Sequence, residues 1–438
     1  MRRQSHPKRD GRASLPSTLE GKVRDITHAG ESVVETDQGI VLAHRAGFPG
    51  ERVRVRITDK RQGVLHGALA GLLEPSPARR EPECALADRC GGCPLMGLSH
   101  EAQAALKLER VERAVTGVCE PDVHARWEPF GEALGYRRRM RLAFRRVGSG
   151  LVLGYHVAGS RTLIDVPTCV VLEPSLSAAQ ALARELLSSC LAGAGEIELI
   201  ATQDGAVVRI EASDAQSPDT YRAAEALASR PGISGVALRI GTSAPANFGT
   251  PVQSSLGPDG IALRAPTGAF TQANTQINSR LVERVVELAE PAGKRVVELF
   301  AGHGNFTVAL APLAASLCAV EGDAAAADAC RENLRARGHD AKHGTRVIAA
   351  DANDISVRSG PADVIVLDPP RAGAKALAQI VAQKKPERVV YVSCHMTTLA
   401  RDLRALAELG YRADAVSALD MFPHTAHVEA VVRLRAPR

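Results

Sequence analysis

No stretch of this chain approaches the roughly 18 uninterrupted apolar residues that a membrane-spanning helix needs. Apolar residues still make up 45% of the sequence, so hydrophobicity is dispersed as a globular core requires. The amino-terminal Met1 to Arg12 has no apolar stretch behind its charges, and a secretory signal is not expected there. There is no internal repeat, and no low-complexity tract beyond that basic tail. An even number of cysteines is also lacking. Nine cysteines without an export signal point to metal-binding or catalytic roles rather than disulfides. The expectation is a soluble, cytoplasmic monomer of 438 residues with two or three domains and no membrane partner.

Charge is present but uneven. The formal net charge is +5, and the first twelve residues carry +4 of it. A second basic cluster runs from Tyr136 to Arg146, with six arginines in eleven residues. There Met140, Leu142 and Phe144 alternate with Arg139, Arg141 and Arg145, the period of a half-buried strand with one basic face. A basic run is ordinarily a solvated surface. Paired with the basic tail, this one is read as a nucleic-acid contact.

Short alternating segments at 21–24, 32–35, 39–42 and 51–57, separated by Gly, Pro and Asp turns, predict a small all-β barrel of the oligonucleotide-binding kind over 17–75. Prolines at 75, 77 and 82 then break the chain, and a helix is expected over Ser99–Val115 with Ser99 as N-cap. Residues 76–265 read as a central α+β domain. From 266 to 438 the pattern becomes regular β/α. A helix is expected over Ile277–Ala289, and strands over Arg295–Phe300, Ala319–Glu321, Val364–Asp368 and Val389–Cys394, in a Rossmann-like parallel sheet.

Four motifs carry chemistry. The first is a strand followed by a glycine turn, Val296 to Phe306, in which Gly302 and Gly304 let the backbone approach a ligand at the sheet's carboxyl edge. The dinucleotide fingerprint calls for a third Gly at 307. Thr307 stands there, against a nicotinamide cofactor. Glu321 ends the next strand, where a carboxylate can hold the ribose hydroxyls of an adenosine. The second motif delivers Asp368, Pro369 and Pro370 to the same edge, a stiff wall suited to a planar base. The third ends in Ser393-Cys394-His395. A Cys closing a buried strand is usually a small core residue, but this one meets the ligand edge, and Glu429 heads a last strand nearby. A nucleophile and a base at one edge is the pairing that covalent catalysis uses. The fourth is Cys84-x5-Cys90-Gly-Gly-Cys93, three thiols that need a fourth ligand; Cys169, in a turn after Pro167, is preferred. Cys190 and Cys330 are placed in helix interiors. The spacing leaves zinc and a [4Fe–4S] cluster both open, and it is not the Cys-x3-Cys-x2-Cys of radical enzymes.

With these residues in view, the chain resembles the RNA (uracil-5)-methyltransferases of 23S ribosomal RNA and transfer RNA, from Leu19 to Leu434. The segment Gly47 to Val53 looks like part of the family's TRAM domain. The Ser393-Cys394-His395 turn, followed by Leu399-Ala-Arg-Asp-Leu403, is similar to its nucleophile loop. The resemblance implies a class I methyltransferase domain, S-adenosylmethionine as cofactor, and RNA as partner, 23S rRNA ahead of tRNA. It implies Cys394 as nucleophile and Glu429 as base, and Gln272, Phe300, Asn305, Glu321, Asp351 and Asp368 around the cofactor. It also implies a [4Fe–4S] cluster on Cys84, Cys90, Cys93 and Cys169. Ala301 and Glu298 depart from the family's usual Cys and Asp, and neither removes a required group. The rival readings are a dehydrogenase, a non-catalytic RNA-binding protein with structural zinc, and a DNA cytosine enzyme. The missing glycine, the Cys394–Glu429 pairing and Ser393 before the nucleophile count against them in turn.

Overall fold

The computed structural model describes residues 17–128, 131–339, 344–354 and 359–437; the basic tail lies outside them. The chain forms two compact units, Met1–Pro82 with Pro94–Ser99, and Glu83–Cys93 with His100–Arg438. Among the described residues no helix is long and apolar enough to cross a membrane.

The first unit is a closed barrel of β1 (Thr18–Ile26), β2 (Glu31–Thr36), β3 (Gly39–His44), β4 (Arg52–Arg61) and β5 (Val64–Glu74), in the order β1-β2-β3-β5-β4. The β4 strand returns to pair with β1, so no edge is left open. Val23, Val34, Val41, Val53 and Val55 fill the interior through the two-residue period of their strands. The turn before β4 is locked by a buried carboxylate. Glu51 accepts from the backbone N–H of Phe48 at 2.8 Å and of Ser76 at 3.1 Å, and from Nε and Nη2 of Arg79, both at 2.8 Å. Burial opposes its charge, but Arg79 and the two amides outweigh burial and hold the carboxyl below its usual range. Gly47 has φ 135°, and a Cβ there would lie 2.8 Å from Glu51 Oε2. The Gly47–Glu51 spacing is therefore a packing requirement of this turn.

The second unit holds two large sheets. Its first elements are α1 (His100–Val115) and β6 (Ala125–Trp127). A central group follows: β7 (Arg139–Val147), β8 (Gly150–His156), β9 (Leu163–Asp165), α2 (Pro174–Leu187), β10 (Ala194–Thr202), β11 (Gly205–Ala212), α3 (Pro218–Ala228), β12 (Ile233–Ile240) and β13 (Ala246–Gly249). Its sheet runs β13-β12-β11-β10-β7-β8-β9. Met140, Leu142 and Phe144 of β7 are fully buried in one core with α2 and α3. The opposite face corrects the reading of β7 as a strand free to bind phosphate. Arg139 reaches Glu198 at 2.7 Å, Arg141 reaches Glu196 and Glu198 at 3.5 and 3.3 Å, and Arg209 reaches Glu198 at 2.5 Å. Arg138 lies 3.3 Å from Glu173, Arg137 donates to the carbonyl of Arg139 at 2.9 Å, and Arg146 donates to that of Leu191. Five of the six arginines are thus committed inside the unit. Their partners come from distant strands, so no local pattern announced them.

A hairpin of β14 (Gln253–Leu256) and β15 (Ala262–Ala265) leads into α4 (Thr275–Ala289), whose N-cap Asn274 accepts from Ile277 N–H at 3.2 Å. The last layer comprises β16 (Arg295–Leu299), α5 (Thr307–Leu310), β17 (Ser316–Glu321), α6 (Ala324–Arg335), β18 (Thr345–Ala349), β19 (Val364–Leu367), α7 (Leu377–Lys384), β20 (Arg388–Ser393), α8 (Met396–Glu408), β21 (Arg412–Leu419) and β22 (Glu429–Arg435). Its eight strands run β18-β17-β16-β19-β20-β22-β21-β6. The sheet is mixed where a parallel one was expected: β22 is antiparallel to both β20 and β21. Apolar clusters cover both its faces, which explains why its strands read as continuous hydrophobic runs.

Candidate active site

Strands β18, β17, β16, β19 and β20 are parallel, and their carboxyl ends share one edge. Strand order reverses between β16 and β19, the switch point where open α/β sheets bind ligands. Because β22 is antiparallel to β20, its first residue meets the end of β20. Ser393 pairs with Ala430, so Cys394 and Glu429 flank the next position of the ladder. Asp368 directly follows β19, one strand further along.

The three groups act on one another. Burial first, and then Asp368, raises the Glu429 carboxyl well above its ordinary value. Asp368 keeps a partly exposed edge, yet burial pushes it up to about 7. Burial, then Glu429, then Asp368 push the Cys394 thiol up to about 12, with Arg371 pulling the other way. Its depth and the two acids thus favour the thiol over the thiolate at this position.

The Ser393–His395 turn is built by its neighbours. Ser393 Oγ accepts from His395 N–H at 3.1 Å, and His395 caps α8, its Nδ1 3.1 Å from Thr398 Oγ1. Asp402 on α8 accepts from Tyr391 O–H at 2.6 Å and from Ala374 N–H at 2.8 Å. It therefore ties β20 to the loop that carries Asp368, Pro369 and Pro370. The sequence motif contained Asp402, but its role becomes visible only through these partners.

On the cofactor side, Phe300, Gly302 and Gly304 adopt φ of 60°, 56° and 100°. A Cβ on Gly304 would sit 3.0 Å from Cys330 Sγ, so the loop folds tightly over α6. Glu321 accepts from Gly302 N–H and Asp323 N–H, both at 2.8 Å. It braces the glycine loop and keeps further lone pairs for a ligand. Asp351, two residues past β18, is exposed and accepts from Asn353 N–H at 2.9 Å. Asn305 exchanges two 2.9 Å hydrogen bonds with Asn278 of α4. Asn278 carries only a weak sequence signal, a poor helix former in a first turn. Gln272, Asn278, His303 and Asn305 line one cleft with Arg138 and Gln253.

The cysteine segment is separate. Cys93 is partly buried, and Cys169, Cys90 and Cys84 all lie within electrostatic range of it. Burial first, then these thiols, push it up to about 12, with Arg137 opposing. Among the described residues no group of three or more His, Cys, Asp or Glu side chains is arranged to hold a metal ion. Cys330 is inside α6 as expected. Cys190 is not in a helix interior: α2 ends at Leu187, and the Cys190 thiol lies 3.6 Å from the carbonyls of Leu186 and Leu187 in the turn beyond it.

The family model for tRNA (Uracil-5-)-methyltransferase matches residues 255–436. A 23S rRNA (uracil(1939)-C(5))-methyltransferase of Chromohalobacter salexigens is 36% identical, with 95% of this chain and 90% of that one covered. Its counterpart in Pectobacterium atrosepticum is 34% identical, with 96% and 91% covered. A crystal structure of Pyrococcus abyssi tRNA (uracil-54, C5)-methyltransferase in complex with S-adenosyl-L-homocysteine superposes with a TM-score of 0.74 at 22% identity, covering 95% of this chain and all of that one. That likeness shows the fold, and the curated relatives show the family. The chain belongs to the RNA (uracil-5)-methyltransferases.

Proposed function

We propose that this enzyme methylates carbon 5 of a uridine in 23S rRNA, with Cys394 as nucleophile and Glu429 as base. The observation that carries the chemistry is the β20–β22 register, which sets Cys394 beside Glu429 at the ligand edge. The 23S substrate is supported by relatives of that activity along nearly the whole chain.

Carbon 5 of uracil is a weak nucleophile until a group adds at carbon 6. Cys394 bonds carbon 6 through sulfur and gives its proton to a carboxylate of the Asp368–Glu429 pair. The electrons of the C5–C6 double bond move toward the carbon 4 oxygen. S-adenosylmethionine supplies an electrophilic methyl group when bound. Gln272, Phe300, Asn305, Glu321 and Asp351, with Asp368, are the residues proposed to hold it. Once carbon 5 carries the methyl, Glu429 takes its remaining proton, the C5–C6 double bond re-forms and the Cys394 sulfur leaves. Two carboxylates suit this sequence, because one can keep the thiol proton while the other is ionised for the later step. The base must leave its stack to reach this edge, at a cost of a few kcal/mol.

Cys84, Cys90, Cys93 and Cys169 are proposed to hold a [4Fe–4S] cluster. Four thiols from two distant segments, within electrostatic range of one another, are a donor set of the right kind and number. The cluster would serve to fix the fold of its segment. The barrel is proposed to be a TRAM-type RNA-binding unit at 17–75, beside a central domain at 76–265 and a methyltransferase domain at 266–438.

The test of the chemistry is trapping. Cys394→Ala should abolish turnover and form no protein–RNA adduct. Glu429→Gln should methylate but release poorly, leaving an adduct that survives a denaturing gel. Adduct-free inactivity in both variants would overturn the roles.

A further inference from the structure

The loop from Asp420 to Val428 joins β21 to β22 and delivers Glu429. Antiparallel neighbours are usually joined by about two to five residues, and nine are used here. The loop is also buried. Asp420, Met421, His424, Ala426 and Val428 are each at most 3% exposed, and His424 has φ 66°, a left-handed conformation uncommon for a residue other than glycine.

One helix holds it. Gln103, Lys107 and Arg110 lie at spacings of four and three on α1, hence on one face. Gln103 Oε1 accepts from His424 N–H at 2.9 Å, and Gln103 Nε2 lies 3.3 Å from His424 Nδ1. Lys107 Nζ donates to Asp420 Oδ1 at 2.6 Å and to the Phe422 carbonyl at 3.2 Å. Arg110 donates to the Ala426 carbonyl at 2.6 Å. Tyr136 O–H adds a bond to the Pro423 carbonyl at 3.2 Å. Four residues of the loop, Phe422, Pro423, His424 and Ala426, thus have a backbone group met by a side chain from outside it.

Lys107 is fully buried and Asp420 is 2% exposed. A buried ion pair of this kind often stabilises no more than apolar residues of the same volume, because both ions must be desolvated. What such a pair does supply is one geometry, since its partners and the backbone groups around it are satisfied in a single arrangement. We propose that the Gln103–Lys107–Arg110 face of α1 is the positioning element for the catalytic base, fixing the Asp420–Val428 loop so that Glu429 meets carbon 5. These residues touch no reacting atom; they act through the loop. This inference rests on Glu429 being the base.

A displaced base would spare substrate binding and thiol addition and slow the proton removal that releases product. Arg110 is the variant of choice, as it meets the loop at a backbone carbonyl and its replacement leaves the Lys107–Asp420 pair in place. Arg110→Met should lower kcat by about 10- to 100-fold, the scale of an ångström-level misplacement, while KM for RNA and S-adenosylmethionine changes by less than about threefold. It should accumulate covalent protein–RNA adduct on a denaturing gel, and Arg110→Lys should restore most of the rate. Gln103→Leu should behave as Arg110→Met. Glu429→Gln is run beside them. Adduct in Glu429→Gln but in neither α1 variant overturns the positioning role alone. Adduct in none overturns the base assignment and this inference with it. A rise in KM at unchanged kcat, or a rate loss matched by the unfolded fraction in a thermal melt, also overturns the positioning role.

Discussion

Glu298 shows how much a single residue can set against stability for the sake of a site. It is the penultimate residue of β16 and 1% exposed. Burial pushes this acid from 4.5 up to about 8, with the Thr307 side chain opposing and Asp368 and Glu321 adding to it. Between those values the folded chain keeps a proton that the unfolded chain has lost. Stability contributed by the neutral acid is therefore complete below about pH 4.5 and is lost as pH rises through about 8. Glu298→Gln keeps the shape without the titration. The variant should match the wild type in thermal melts near pH 4 and exceed it by several degrees or more near pH 9; parallel curves across that range would remove the argument. Residues of this kind divide sharply in legibility. The meeting of Cys394 and Glu429 at one sheet edge could be read in advance, because one follows and the other opens a recognisable strand. Asn278, Asp402 and Lys107 could not, because their meaning lies in partners such as Asn305, Ala374 and Asp420, the last 313 positions away.

At the scale of elements, the two-residue period of β7 predicted its buried face residue by residue, since Met140, Leu142 and Phe144 respond only to which side is dry. The other face misled. Periodicity says that Arg139 and Arg141 share a side; it cannot say that β10 brings Glu196 and Glu198 opposite them, because strand neighbours are set by topology. The segment from Cys84 to Cys93 poses the reverse problem, in which the spacing announces ligands before any geometry does. The proposed fourth partner, Cys169, comes from the loop after β9, and its thiol lies within electrostatic range of Cys90 and Cys84. Protein purified without oxygen should be brown and carry about four irons per chain. Cys169→Ser should lose the colour and weaken folding or RNA affinity, with S-adenosylmethionine affinity little changed, because the glycine loop and Glu321 are built by other elements. A colourless wild-type protein with one zinc would end the cluster reading.

For the whole molecule, the edge that gathers Gly302, Glu321, Asp368, Cys394 and Glu429 follows from strand order, and that order was legible only in outline. The helix–strand alternation gave a Rossmann-like layer, but the antiparallel β22 that makes Cys394 and Glu429 adjacent depends on a long-range pairing no local pattern encodes. The substrate is likewise a property of the whole chain. Its net charge is +5, with most of that in the first twelve residues, and five of the six arginines between Arg137 and Arg146 are engaged internally. Recognition of RNA therefore cannot rest on one basic strand. It should instead draw on several surfaces suited to an irregular single-stranded loop, as sequence-specific RNA recognition commonly does. The relatives at 36% and 34% identity act on 23S rRNA, whereas the transfer-RNA enzyme of similar fold is 22% identical. Purified enzyme given labelled S-adenosylmethionine and a choice of unmodified 23S fragments or unmodified transfer RNA should place label in the 23S fragments, at carbon 5 of uridine. Affinity should fall by roughly 0.7 log unit per log unit of salt for each single-stranded phosphate neutralised, and Arg145→Ala, which changes an exposed arginine outside the Glu198 ladder, should make that slope shallower without changing which RNA is labelled. Label confined to transfer RNA would refute the ribosomal substrate and leave the uracil chemistry of Cys394 and Glu429 standing.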